Sequence, residues 1–406
     1  MDIVYRGRDV PLYLGTRILA RVAMLVQSVA VGWQAYDLTR TPLALGLVGL
    51  VEFLPMFLLT LPAGEMADRF DRRRILALSL GVQAGTSVLL LLFAASHPRH
   101  IWPLYAVLML FGCARGFSDP AGRALLPLLV PPERLPKAIA GSASVSQLVV
   151  IGGPALGGFA YALGPAYAYG GCLVAFVVAA IGTTLLRGRR TAVHPALLAG
   201  RIDRVKEGIQ FVRSRPVVLG AISLDLFAVL LGGATALLPI YARDILHVGP
   251  TGLGMLRSAP AVGAAAVALY LTRKPVQRNV GATMFSTVAV FGIATIVFGL
   301  SVDFRLSLVA LAVLGAADQV SVFIRTALVQ FATPDAMRGR VSAVSTLFIS
   351  SSNELGEFES GVTAQLLGTV PAVVLGGIGT LVVVAVWMRM FPPLRTVDRM
   401  TDVAPA

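Results

Sequence analysis

Residues 138–186 contain no aspartate, glutamate, lysine or arginine. That stretch is long enough for two helical crossings of a bilayer, each of which takes about 20 apolar residues. The rest of the chain matches it. Of 406 residues 56% are hydrophobic and 14% charged, with mean hydropathy +0.79, whereas a soluble domain carries about a quarter charged residues. The opening MDIVYRGRDVPLYLG lacks a short apolar core followed by a small-residue cleavage site, so no removable signal peptide is expected. Cys113 and Cys172 lie in apolar runs, which argues against a disulfide framework. His97 and His100 have HxxH spacing without a neighbouring cysteine or acid cluster, so no metal and no cofactor is expected.

Apolar runs broken by short charged or Pro/Gly segments predict an all-α membrane protein with twelve transmembrane helices. Their approximate spans are 11–37, 43–66, 74–96, 101–129, 138–163, 167–186, 217–242, 251–272, 280–301, 305–331, 341–367 and 371–391. The arginine-rich interval 187–216 reads as a cytoplasmic linker with a short amphipathic helix at IDRVKEGIQFV. The expected organisation is a six-helix bundle at 1–186, the linker, a second bundle at 217–391, and a cytoplasmic tail at 392–406. With both termini in the cytoplasm, 24 of the 34 lysines and arginines fall at inner ends or loops, against four (Arg40, Arg99, Arg243, Arg305) outside. This bias is the topology signal of an inner-membrane protein. The formal charge of +13 therefore reports orientation and attraction to anionic lipid heads, not nucleic-acid binding.

The halves echo one another. PLALGLVGL from Pro42 matches PTGLGMLRS from Pro250. FGCARGFSDPAGRALLPLLVPPE from Phe111 matches LGAADQVSVFIRTALVQFATPDA from Leu314, and GPALGGF from Gly153 matches SNELGEF from Ser352. The shifts of 208, 203 and 199 residues drift smoothly. Parallel repeats of this kind place a transport site at the interface of two pseudo-symmetric six-helix bundles.

GEMADRFDRRR at 64–74 resembles the signature loop of the major facilitator superfamily: Gly64, then Asp68, then the run Arg69, Arg72 and Arg73. In that family the loop is a conformational latch, and the resemblance implies that Asp68 meets the start of the eleventh helix near Arg338 and Arg340. GGPALGG at 152–158, with Gly153, Pro154, Gly157 and Gly158, resembles part of the superfamily's antiporter motif. Its small residues allow tight helix packing, and its proline frees one backbone bond. RALLPLLVP and DLFAVLLGGATALLPIYARDIL are similar to the bacterial secretion branch that includes enterobactin exporters.

Charges inside the predicted spans carry the functional expectations, since each costs about 3 kcal/mol near a bilayer centre on insertion scales. The stretch SSSNELGEFESG at 350–361 places Glu354, Glu357 and Glu359 within six residues. Glu354 and Glu357 share a helix face, and two close carboxylates do not both ionise readily, so the pair can carry a proton. A structural pairing with arginines is equally open. Glu52, Asp225 and Asp318 complete the proton-coupling candidates. Glu52 either joins Glu354 or hydrogen-bonds locally beside Pro55. The resemblance implies that helices 1, 4, 7 and 10 line a cavity, making Arg17, Arg21, Gln27, Gln34, Arg115, Asp119 and Arg325 its candidate lining, with Arg123 one turn beyond Asp119; Asn353 on the eleventh helix is a further candidate for binding polar substrate groups. The glutamines and Asn353 serve equally well as helix glue. Arg115 either faces Asp318, which the repeat superposes on it, or is neutralised by Asp119 of its own helix.

Taken together, the resemblance implies a secondary transporter, not an enzyme. The expected function is proton-coupled export of amphipathic small molecules, siderophores or drugs, by alternating access. A nutrient importer and a lysophospholipid flippase are the alternatives. Small-molecule substrate, proton and membrane lipid are the expected partners, and a monomer the expected state.

Overall fold

A computed structural model describes residues 9–186 and 201–403; the side chains of Leu61, Asp68, Pro132 and residues 201–205 lie outside that description. Among the described residues there is no strand. The long helices are α1 (Asp9–Thr39), α2 (Pro42–Arg69), α3 (Arg72–Ala95), α4 (Trp102–Leu129), α5 (Leu135–Leu163) and α6 (Pro165–Thr184). After them come α7 (Arg201–Ser214), which covers the amphipathic linker stretch, and α8 (Pro216–Leu231). The tiny α9 (Leu238–Ile240) leads into α10 (Gly249–Arg273), α11 (Val280–Leu300), α12 (Phe304–Ala332), α13 (Asp335–Leu367), α14 (Thr369–Met390) and the four-residue α15 (Pro392–Arg395). Among the described residues ten helices are long and apolar enough to cross a membrane. The expected twelve are thus not all recovered on that measure. Helices α4 and α13 match the others in length, but Arg115, Asp119 and Arg123 in one and the Glu354–Glu359 acids in the other make them too polar.

Helix starts follow local chemistry. Proline occupies the first turn of α2, α4, α5, α6 and α8, where a backbone N–H would lack a helical partner anyway. Asp303 caps α12 by accepting from the Leu306 N–H at 2.8 Å, and Asp71 caps α3 by accepting from the Arg73 N–H at 3.0 Å.

Two stretches carry detail that run lengths do not show. The span predicted at 217–242 is present as the apolar stretch Pro216–Ile245, but it is not one regular helix: α8 stops at Leu231, before Gly232 and Gly233. A 3-10 turn (Ala234–Leu237), α9 and a π-helical turn (Tyr241–Ile245) complete it. Adjacent glycines followed by Pro239 remove the side-chain packing and the backbone donor that a continuous helix needs. The described part of the predicted tail at 392–406 packs on the second unit. Leu394 and Val397 are buried in the core formed with Leu224, Met284, Ile324 and Val384, and the Val280 and Gly281 N–H groups donate to the carbonyls of Asp398 and Val397.

The chain separates into two compact units, Met1–Ala196 with Val248–Ser258, and Leu197–His247 with Ala259–Ala406. In the first, α1 packs on α5 and α6, α3 on α4 and α6, and α2 on α4. In the second, α8 packs on α12, α13 and α14, and α11 on α12 and α14. The repeat is visible atom by atom. A Cβ on Gly112 of α4 would collide with the Glu52 carbonyl of α2, and one on Gly315 of α12 with the Pro260 carbonyl of α10. The two glycines differ by the repeat's shift of 203, and Glu52 and Pro260 by its 208.

Gly112→Ala and Gly315→Ala should each lower the thermal midpoint of the detergent-solubilised protein, by an overpacking cost of about 1–3 kcal/mol; an unchanged midpoint would refute the close approach. Asp71→Ala should cost about 1 kcal/mol by loss of its cap. Partial burial alone would raise the Asp71 carboxyl, but hydrogen bonds from the Arg73 side chain and backbone outweigh it and hold it below the usual range. A depressed carboxyl contributes stability above its unfolded value and loses it as pH falls through the folded one. The gap between wild type and Asp71→Ala should therefore be full at pH 7 and close in strong acid.

Candidate functional site

The first unit contains a cavity of about 400 Å³ walled by α1, α4 and α5. Arg17 and Arg21 reach it from α1, and Asp119 and Arg123 from α4. Helical spacing explains the grouping, because residues four apart stand on one face. Tyr13 begins the α1 stripe, and its hydroxyl donates to the Gly122 carbonyl of α4 at 2.9 Å. Gly122 leaves room for the Arg17 guanidinium, which lies where a Cβ would be. The α5 wall offers Ser142 and Ser146 among Ile139, Val145 and Val149.

Arg115 and Glu52 form an ion pair between α4 and α2, with side chains 18% and 19% exposed. Neither reading of Arg115 nor either reading of Glu52 named this pairing. The pairing follows from the glycine contact: Gly112 brings α4 against the Glu52 carbonyl, and Arg115 follows one turn later. Gln27 and Gln34 are buried and do not line the cavity. Gln27 accepts from the Ser87 hydroxyl at 2.9 Å, and Gln34 from the Tyr169 hydroxyl at 2.5 Å. Both therefore tie α1 to neighbouring helices.

The second unit holds a tighter arrangement. Arg325 of α12 forms an ion pair with Asp225 of α8, with side chains only 3% and 6% exposed. Asp225, Asp318 and Ser321 border a cavity of about 10 Å³, roughly the room of one water molecule. Asp225 and Asp318, separated by 93 residues in the chain, thus share one small space, and Arg325 pairs with the first of them.

The other candidates are distributed differently. On α13, Glu354 and Glu357 are half-buried and Asn353 is exposed. Gly356, between the two acids, is pressed against the Val229 and Leu230 carbonyls of α8. Glu359 accepts from the Thr363 hydroxyl at 2.7 Å. Of the latch residues, Gly64 and Arg69 end α2, and the Asp68 side chain lies outside the described residues. Arg72 donates to the Ala67 and Ala124 carbonyls at 3.0 and 3.2 Å. Arg73 donates to the Leu186 carbonyl at 2.6 Å and pairs with Asp71. Both arginines thus clamp helix ends inside the first unit. Arg338 pairs with Asp335 at 2.7 Å, and Arg340 with Glu207 of α7 at 2.6 Å. The small-residue motif is a packing face. Gly153 and Gly157 meet Leu25 and Val26 of α1, while Pro154 and Gly158 meet Gly254 in the part of α10 belonging to the same unit.

Sequence reading missed Tyr13, Ser142 and Ser146. The serines were discoverable, since 139, 142, 146 and 149 form one face of an otherwise uncharged helix stretch. It also missed Arg257, which donates to the Ser28 hydroxyl at 2.8 Å.

The chain is 28% identical over 390 residues to the enterobactin exporter EntS of Citrobacter koseri, covering 93% of this chain and 91% of that one. It is 26% identical over 356 residues to YfiS, an uncharacterized MFS-type transporter of Bacillus subtilis, covering 82% and 81%. Among solved structures, a bacterial homolog of the human lysosomal transporter Spinster superposes with TM-score 0.72 at 14% identity, covering 98% of this chain and 100% of that one. A bacterial homologue of the iron transporter ferroportin gives 0.71 at 18% identity, covering 96% and 99%. Residues 12–405 match the family described as transmembrane secretion effector, and the chain belongs to that family of major facilitator transporters; it is not an enzyme.

Proposed function

We propose that the protein is a secondary exporter carrying amphipathic small molecules, siderophores or drug-like compounds, outward across a bacterial inner membrane by alternating access coupled to proton entry. The observation that carries this reading is the near full-length similarity to enterobactin exporters. Two six-helix halves, residues 1–186 and 217–391 joined by 187–216, act as the rocking bodies. In this reading α4 and α13 also cross, bringing the spans to twelve, and the excess of positive charge keeps both termini in the cytoplasm. The working unit is a monomer. The loop with Gly64, Asp68 and Arg69 serves as the latch, and Arg72 and Arg73 hold its frame.

Among the proton-coupling candidates the support is strongest for Asp318. Arg325 already has a counter-ion in Asp225, and Asp318 is a second acid on the small cavity that Asp225 borders. It can gain or lose a proton without unpairing Arg325, which makes its charge the natural variable of a cycle. Glu52 is engaged by Arg115, and Glu354 and Glu357 act as supplementary carriers. A potential of 100 mV contributes about 2.3 kcal/mol per charge moved, enough to bias two nearly balanced conformations.

Reconstituted vesicles test this directly. Asp318→Asn should reduce pH-gradient-driven transport of a siderophore or dye at least about tenfold (about 1.4 kcal/mol) while leaving gradient-free exchange measurable; undiminished gradient-driven transport would refute the assignment. Asp225→Asn should destabilise the fold by about 3–5 kcal/mol, since it strands a buried arginine. Adding Arg325→Gln should restore much of the thermal midpoint, because the stranded arginine is then gone. Depletion rather than accumulation of the solute in intact cells distinguishes export from import.

A further inference from the structure

The charge on the first-unit cavity is unbalanced. Arg17, Arg21 and Arg123 line it with one acid, Asp119, among the described lining residues, a formal surplus of two positive charges (three minus one). The repeat sharpens this. A shift of 203 residues superposes Arg325 on Gly122, and the same shift holds between α1 and α8, where Gly157 meets Val26 and Gly356 meets Val229, so Asp225 falls on Val22. In the second half the arginine comes from α12 and meets its aspartate. In the first half the arginine comes from α1 and lies against Gly122, while an uncharged valine holds the position equivalent to the counter-ion. The half that lacks an aspartate at that α1 position is the one with a cavity large enough for a small organic molecule.

We infer that this cavity is an oxyanion site, taking a carboxylate, phenolate, sulfonate or phosphate group carried on an apolar body. The guanidinium fork matches planar oxyanions in two-pronged hydrogen bonds. Arg17 is held on α4, where the Tyr13–Gly122 hydrogen bond pins α1. Ser142 and Ser146 offer hydroxyl donors from the opposite wall, and the apolar α5 side chains beside them suit the ligand's body. Surplus cations within a largely apolar bundle are costly unless something answers their charge, and an anionic ligand supplies that answer. The inference rests on the export reading and narrows its substrates to organic anions; the same chemistry arrives either as a soluble solute or as a lysolipid phosphate head.

The test uses full-length protein in nanodiscs of neutral lipid and reads binding without any gradient, so a failure of transport and a failure of charge recognition are separable. Three probes of one shape are titrated: 1-naphthoate, 1-naphthylmethanol and 1-naphthylmethylammonium. Naphthoate should bind at least about tenfold more tightly than the alcohol, the ammonium most weakly, and the preference should shrink with added salt. Arg17→Gln and Arg123→Gln should each collapse naphthoate affinity towards that of the alcohol, with Arg17→Lys intermediate. Equal binding of naphthoate and alcohol by wild type, or tightest binding of the ammonium, overturns the inference even if no variant folds. Oleoyl lysophosphatidate displacing naphthoate at lower concentration than naphthoate's own dissociation constant supports the site and assigns it to lipid heads. Weaker displacement supports it and assigns it to soluble solutes.

Discussion

Two carbonyl oxygens, those of Glu52 and Pro260, lie where side chains of Gly112 and Gly315 would begin. Lipid tails are as apolar as leucine, so helices in a bilayer associate through close van der Waals contact and polar ties, and small residues permit that contact. In the first unit the α2–α4 approach also carries Arg115 to Glu52. In the second, proline replaces the glutamate on α10, and the residue equivalent to Arg115 is Asp318. Charge compensation there moves along α12 to Arg325 and across to Asp225. One packing contact, kept in both halves, thus supports two different electrostatic arrangements.

On the proposed reading those arrangements divide the chemistry. Around the first-unit cavity arginines outnumber acids, and at the small second-unit cavity Asp225 and Asp318 outnumber Arg325. A basic, roomy site suits cargo, whereas an acidic site with space for one water suits a proton. Gene duplication makes such a split accessible, because each half can be altered at one position of a helix while its backbone contacts stay as they were.

Much of the fold was legible because the signals are local. Apolar run lengths locate the helices to within a few residues at most ends. The repeat pairs Gly112 with Gly315 at a shift of 203 and Gly157 with Gly356 at 199. The second pair meets Val26 and Val229, themselves 203 apart. What was not legible depends on partners from other helices. Spacing along α4 offers Arg115 only Asp119, and nothing in the sequence reports that Glu52 is nearer. Asp225 and Arg325 are 100 residues apart and read as separate functions until their helices are packed. The break after Leu231 escaped notice because Gly-Gly within a strongly apolar run barely alters hydropathy. Ser142 and Ser146 escaped because hydroxyls carry no charge.

The broken stretch between Leu231 and Ile245 has a mechanical consequence. A π-turn holds more residues than a regular α-turn, and a 3-10 turn winds tighter, so rotational phase is not transmitted along this span as along a rigid rod. Tyr241, anchored by its hydroxyl to the Gly299 carbonyl at 2.8 Å, can stay put while Asp225 twists on the far side of the joint. Such a span is two separately anchored pieces, like two shafts with a clutch between them.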